Sequence, residues 1–309
     1  MNKNISINYR RYALICVTII LIFITPGCGR PGSKHLTDRA GRQVTIKGAV
    51  NRVVSAAPSN TEIIVDLGQA DKLIAVDVHS ADIFGIPGNL PLLDFFYPDA
   101  EAIIKLEPDL IIASGHNATG SGEDPFRLLR EMGIPVVYIS MSKSIEDIYG
   151  DIAFVAELLQ AGKEGEKLTG AMKTQVEQIA RNAPDTENRK TVYFEISASP
   201  QMMTFGKDSF VNDMIFTIGA INIFENDNWL VTPGAETIIN RNPDVILTNV
   251  NYIDNQIEEI KSRQGFNHIN AVINNRIYLI DTNSSVRPSA RVILALRQMQ
   301  KAVYPDIKD

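Results

Sequence analysis

Six short apolar runs punctuate the chain: Val53 to Ser55, Leu110 to Ala113, Val136 to Ile139, Val192 to Phe194, Val245 to Leu247 and Ile277 to Ile280. Each is rich in β-branched, aliphatic or aromatic residues and bounded by turn residues, which suits strands buried on both faces better than helices. Strands alternating with helical stretches predict parallel sheets with right-handed crossovers. The longest stretch without strand character runs from Ser144 to Ala183. Within it Ile145, Ile148, Ile152, Val155, Leu158 and Leu159 follow helical spacing, and beyond Gly162 to Gly165 the pattern resumes through Leu168, Met172, Val176 and Ile179. The spacing predicts a long, stiff helix over 144–183, interrupted at most near Gly162. Two ordinary helices inside one lobe are the competing arrangement.

The pattern also repeats. Ala100 to Ile112 reads AEAIIKLEPDLII and Ala235 to Leu247 reads AETIINRNPDVIL, so seven of thirteen positions match at an offset of 135 residues. Each copy places Glu near a helix start, an Ile-Ile pair on its buried face, a Pro-Asp break and then a buried strand. Matched flanks extend the repeat: a β-rich run, a helix and Gly upstream of each copy (through Gly68 and Gly219), and a further strand downstream. The fold class expected is α/β, two lobes with central parallel sheets joined by one long rigid helix. Paired lobes make a cleft, and clefts hold ligands.

Composition agrees with two lobes, since 309 residues exceed one ordinary domain and 45% are hydrophobic. The net charge of −6 becomes −9 without Lys3, Arg10 and Arg11, a surface unsuited to nucleic acid. Those three residues head an apolar stretch of twelve, Ala13 to Ile24, followed by Thr25-Pro26-Gly27-Cys28. Twelve residues are too few to span a bilayer, which takes about 20, so a signal-peptide core is expected. Gly27-Cys28 resembles a bacterial lipobox with Cys28 as the lipidated residue, although Thr25 replaces the usual branched aliphatic and Pro26 is atypical. Cys16 lies in the segment to be removed, so the body holds no cysteine for a disulfide, cluster or thiolate metal site. The segments expected are a signal peptide at 1–27, a tether at 28–36, an N-terminal lobe at 37–143, the connecting helix at 144–183 and a C-terminal lobe at 184–309.

Candidate chemistry is that of binding. Ser59-Asn60-Thr61-Glu62 fits a capping box at a strand-to-helix turn facing the cleft, where Ser59 and Asn60 are placed to touch ligand. Phe95-Phe96-Tyr97 and Asn228-Trp229-Leu230 precede the two repeat helices at equivalent positions, as facing aromatic walls would. Phe96, Tyr97 and Trp229, the single tryptophan, are the candidates. His79 and His116 each follow a first-lobe strand, and His116 sits in the Gly-rich loop 115–122, which lacks the GK[ST] ending of a phosphate loop. No HxH or HExxH spacing exists, so no metal site and no resident cofactor are expected. The chain also lacks the histidine and acid constellation of a tetrapyrrole chelatase, the enzyme alternative.

The run RVVSAAPSNTEIIVDLG (Arg52 to Gly68), the two Glu/Pro-Asp copies, FGKDSFVNDMI (Phe205 to Ile215) and RPSAR (Arg287 to Arg291) resemble the class III, helical-backbone solute-binding proteins of ABC importers. The resemblance covers Thr37 to Pro305 and implies a cargo held between two α/β lobes and delivered to a permease driven by a cytoplasmic ATPase. It implies a metal chelate, a corrinoid or a ferric siderophore, with haem or an oxyanion as alternatives. By the same resemblance Glu101 and Glu236 dock on the permease, and Arg287 reaches into the cleft toward an anionic or amide-bearing ligand. Helix-start charge compensation is the competing account of either glutamate. A monomer, lipid-anchored on the extracytoplasmic face of a bacterial membrane, completes the expectation.

Overall fold

The computed structural model describes residues 32–118 and 124–307. Residues 1–31, with the expected signal peptide and Cys28, lie outside that range, as do 119–123 of the Gly-rich loop. Among the described residues no helix is long and apolar enough to cross a membrane.

The first lobe opens with a surface hairpin, β1 (Ser33–Thr37) antiparallel to β2 (Gln43–Lys47). It then lays down β3 (Val53–Ser55), α1 (Pro58–Asp66), β4 (Leu73–Asp77), β5 (Leu92–Leu93), α2 (Ala100–Lys105), β6 (Leu110–Ser114), α3 (Arg127–Glu131) and β7 (Val136–Ile139). The five strands β3 to β7 form one parallel sheet in the order β5-β4-β3-β6-β7. The hairpin corrects the expected tether, because regular structure begins at Ser33 rather than Thr37. Its strands are mostly exposed and carry polar residues, so no apolar run announces them; Lys34 Nζ meets Glu157 at 2.8 Å and His35 Nδ1 meets Thr45 Oγ1 at 2.9 Å.

The stretch between the sheets is two helices, α4 (Ile145–Leu158) and α5 (Gly162–Arg181). The interruption falls just before Gly162, where the sequence allowed one. Ser144 caps α4 by accepting from Asp147 N at 3.1 Å. The chain then reverses through Gln160 at φ 60°, and Gly165 comes so close to α4 that a Cβ there would stand 2.6 Å from the Ala156 Cβ. The second helix, 20 residues and about 30 Å long, makes the crossing. Its Ile179 carbonyl accepts from Gln300 Nε2 of the C-terminal helix at 2.8 Å.

The second lobe comprises β8 (Thr191–Glu195), β9 (Thr204–Phe205), α6 (Phe210–Thr217), β10 (Ile221–Asn222), β11 (Leu230–Val231), α7 (Ala235–Arg241), β12 (Val245–Thr248), α8 (Gln256–Ser262), α9 (Asn270–Ile273), β13 (Ile277–Leu279), α10 (Thr282–Val286) and α11 (Val292–Val303). Its parallel sheet runs β10-β8-β12-β13, and β9 pairs antiparallel with β11 beside it.

The repeat proves to be a clamp on strand starts. Asp109 Oδ2 accepts from the backbone N–H groups of Asn51 and Arg52, both at 2.9 Å, just where β6 meets β3. Asp244 Oδ2 accepts from Thr191 N and Oγ1, both at 3.0 Å, where β12 meets β8. One apolar core runs through α4 and α5 from Ile63 and Ile152 on one side to Met214 and Leu296 on the other. That continuity makes the lobe junction stiff, since packed interiors resist deformation.

Candidate functional site

The lobes meet at the C-terminal ends of the first sheet's strands, the place where open α/β sheets present ligands. Two adjoining cavities of about 290 and 270 Å³ lie there, sharing Ser59, Ser114, His116, Val286 and Pro288. The first is closed by Phe96, Asp77 and Arg287, the second by Phe205, Phe210 and Trp229. A larger concavity of about 980 Å³ runs along the edge strand β13, but it is an open groove of second-lobe residues alone. The two-walled, aromatic cleft is the better candidate for burying a ligand.

Trp229 is held over the cleft from behind. Gly206 N donates to its carbonyl at 3.0 Å, and a Cβ on Gly206 would fall 2.2 Å from the Asn228 carbonyl oxygen, so only glycine lets the β9 end approach this loop. Arg241 ties the same loop through both carboxylate oxygens of Asp227, at 2.5 and 3.3 Å. The indole then packs 5.8 Å from the Phe205 ring and reaches across to His116 at 6.4 Å. His116 rides on a turn fixed by Asn117, whose side chain accepts from Ser114 N at 2.7 Å. Desolvation by the cleft walls pushes the His116 imidazole below its usual pKa, which favours the neutral form that a metal-bearing cargo would meet.

Several expected contacts are placed elsewhere. Asn60 is 0% exposed, donates to Ile112 O at 3.2 Å and lines neither cavity. Tyr97 is 86% exposed and also lines neither, whereas Phe96 and Ser59 do. The capping box is absent: Ala57 caps α1 in extended geometry and Pro58 takes the first helical position, so Ser59 is already inside the first turn. Glu62 reaches away from its own helix, accepting from Ser289 Oγ at 2.6 Å and Arg287 Nη1 at 3.1 Å. Arg287 lines the first cavity, but its Nη2 donates to His79 O at 3.0 Å and to Asp82 at 3.1 Å, so both terminal nitrogens face the first lobe's own groups. His79 also lines that cavity.

Asn117 lies in the loop 115–122, whereas Ser114 and the segment Ser140 to Ser142 carry no motif of their own. The signal of these residues is position, at or directly after the C-terminal ends of β6 and β7. Glu101 and Glu236 both stand exposed in the first turns of α2 and α7, and among the described residues neither makes an ion pair. No group of three or more His, Cys, Asp or Glu able to hold a metal exists among the described residues.

The periplasmic binding protein family profile matches residues 53–283. The ABC transporter substrate-binding lipoprotein YvrC of Bacillus subtilis is 27% identical over 96% of this chain and 98% of its own length. The vitamin B12-binding protein of Vibrio campbellii is 25% identical over 82% of this chain and 89% of its length. Among solved structures, a possible iron-binding (periplasmic solute-binding) protein from Staphylococcus epidermidis superposes with a TM-score of 0.72 at 31% identity, covering 82% of this chain and 99% of that one. A bilobed parallel-sheet fold, a two-walled cleft and a profile spanning most of the chain together place this protein in the periplasmic binding protein family, as a class III solute-binding protein of ABC importers.

Proposed function

We propose that the protein captures a corrinoid between its lobes on the extracytoplasmic side of the membrane and hands it to an ABC permease and its ATPase. The observation that carries the reading is the cleft itself: Trp229 and Phe205 from one lobe face His116 and Phe96 from the other, a set of aromatic and neutral surfaces suited to a large flat chelate. The likeness to a vitamin B12-binding protein supports that cargo. A ferric siderophore is the second reading, favoured by the likeness to the possible iron-binding protein at 31% identity. The family consists of transport solute-binding proteins, and no catalytic step is proposed. Because one core joins the lobes, affinity comes from preformed walls rather than large closure.

Titration calorimetry on residues 29–309, which include every described residue, tests the assignment. Saturable binding of cobalamin or cobinamide is expected, weakened about 30-fold by Trp229→Ala, as for loss of a buried aromatic anchor. Binding confined to a ferric hydroxamate would reassign the cargo to a siderophore. Silence from both would reject the corrinoid and hydroxamate cargoes.

A further inference from the structure

Arg287 is the only arginine or lysine among the described residues that line the cleft, and it is already paired. Its side chain is only 12% exposed, with Nη1 on Glu62 Oε1 at 3.1 Å and Nη2 on His79 O and Asp82 Oδ1 at 3.0 and 3.1 Å. Glu62 is fully buried and is held further by Ser289 Oγ at 2.6 Å, with Arg291 Nε at 3.8 Å. Asp82 also takes Asn283 Nδ2 at 2.5 Å. The bonds from Arg287, Ser289 and Asn283 to the two acids cross the lobe boundary, so the cluster is fixed by both halves of the protein.

The charges then lean one way. Glu62 and Asp82 hold Arg287 from behind the lining, and the lining itself adds one acid, the buried Asp77, whose Oδ1 accepts from His79 N at 2.9 Å. The start of α1 opens on the same space with the partial positive charge of a helix N-terminus, about half a unit, and Pro58 withholds one of its N–H donors. An anionic cargo would therefore enter beside the Asp77 carboxylate with no cation free to meet it, a costly placement in a site of low dielectric. A neutral or cationic cargo meets no such opposition, and it finds hydroxyls at Ser59, Ser114 and Ser140.

Building on the chelate reading above, we infer that Glu62 and Asp82, by occupying Arg287 across the lobe boundary, set the cleft's specificity for neutral or cationic chelates and against polyanionic ones. Arg287 is thereby a specificity-determining residue through its pairing rather than an anchor for cargo anions.

The test compares four probes on residues 29–309: cyanocobalamin and a neutral ferric trihydroxamate, against haem with its two carboxylates and a trianionic ferric tricatecholate. The wild type is expected to prefer its best neutral probe over the trianion by at least about 100-fold, as like-charge placement would impose. The double substitution Glu62→Gln with Asp82→Asn is expected to cut that ratio at least about tenfold by tightening the anionic probes. Asp82→Asn alone, at a half-exposed side chain that threatens folding little, is expected to move the ratio the same way by about threefold. Arg287→Ala is expected to leave the rejection of anions in place. Tightest binding of haem or the tricatecholate by the wild type, abolished by Arg287→Ala, would overturn the inference while leaving the chelate reading standing. So would a ratio that neither acid substitution changes. Absence of binding by all four probes would overturn the chelate reading, and this inference with it.

Discussion

Asp66 and Glu62 stand one turn apart on α1, two acids on the same helix face. Burial, then the Glu62 charge, push the Asp66 carboxyl up to about 6, with Arg291 pulling the other way. Its ordinary value lies near 3.9 in an unfolded chain. The folded state thus holds more protons between about pH 4 and 6, and stability falls as pH rises through that window. Asp66→Asn should therefore raise the melting temperature at pH 7.5 and leave it unchanged below pH 4. The residue keeps an exposed outer surface, so the expected gain is about 1–2 °C, read by thermal unfolding at the two pH values. The acids of this helix show where residue-level reading reaches its limit. Ser59-x-x-Glu62 has the letters of a capping box, but the preceding Ala57-Pro58 already starts the helix, and the partners of Glu62 lie 225 to 227 positions away. A local motif is legible in sequence; a side chain that leaves its own helix for a distant loop is not. Trp229, flagged by its equivalence to the Phe96 loop, did reach the cleft, because its supports are close in sequence.

At the scale of elements the Pro-Asp copies carry the clearest consequence. Each aspartate binds two donors at the start of a neighbouring strand, so each lobe's sheet is pinned at one corner by the same device. Asp109→Ala and Asp244→Ala should each destabilise the protein by about 1–3 kcal/mol, the cost of leaving two paired donors without a charged acceptor. Chemical denaturation checks this, and cargo affinity at temperatures where the variants stay folded should be unaffected. The six strands expected from apolar runs are all present, within one or two residues at their ends, and all but the edge strand β13 are buried on both faces, whereas the apolar run of β4, Leu73 to Val76, is a seventh that was not among them. The two-residue strands β5, β9, β10 and β11 and the polar hairpin had no such run to reveal them. The break between α4 and α5 was legible only as a glycine pair. What it needed was knowledge that Gly165 would face Ala156, a tertiary contact.

At the scale of the whole molecule, Glu101 and Glu236 occupy equivalent exposed first-turn positions, one per lobe, and the permease-docking role proposed for them has a direct test. Reversing both, Glu101→Lys with Glu236→Lys, should abolish uptake while cargo affinity measured on the isolated protein changes less than about twofold, as expected for exposed charges. A comparable loss of affinity would instead tie these residues to the cleft. The bilobed plan was readable from the 135-residue repeat, whereas the relative placement of the lobes depended on the core through α4 and α5. Attachment is a separate question, with Cys28 outside the described residues. Cys28→Ser should shift the protein from the membrane to the soluble fraction, assayed by fractionation; retention would point to an uncleaved anchor.

The hairpin start at Ser33 also fixes a leash length. With Cys28 as the lipid site, five peptide steps separate the acyl chains from the first strand, a reach of about 17 Å even when fully stretched. That is shorter than the radius of a body of this size. A protein lipidated at Cys28 would not drift through its compartment in search of cargo. Anchored in that way it would patrol a plane, and its encounters with a permease would be set by lateral diffusion rather than by bulk concentration.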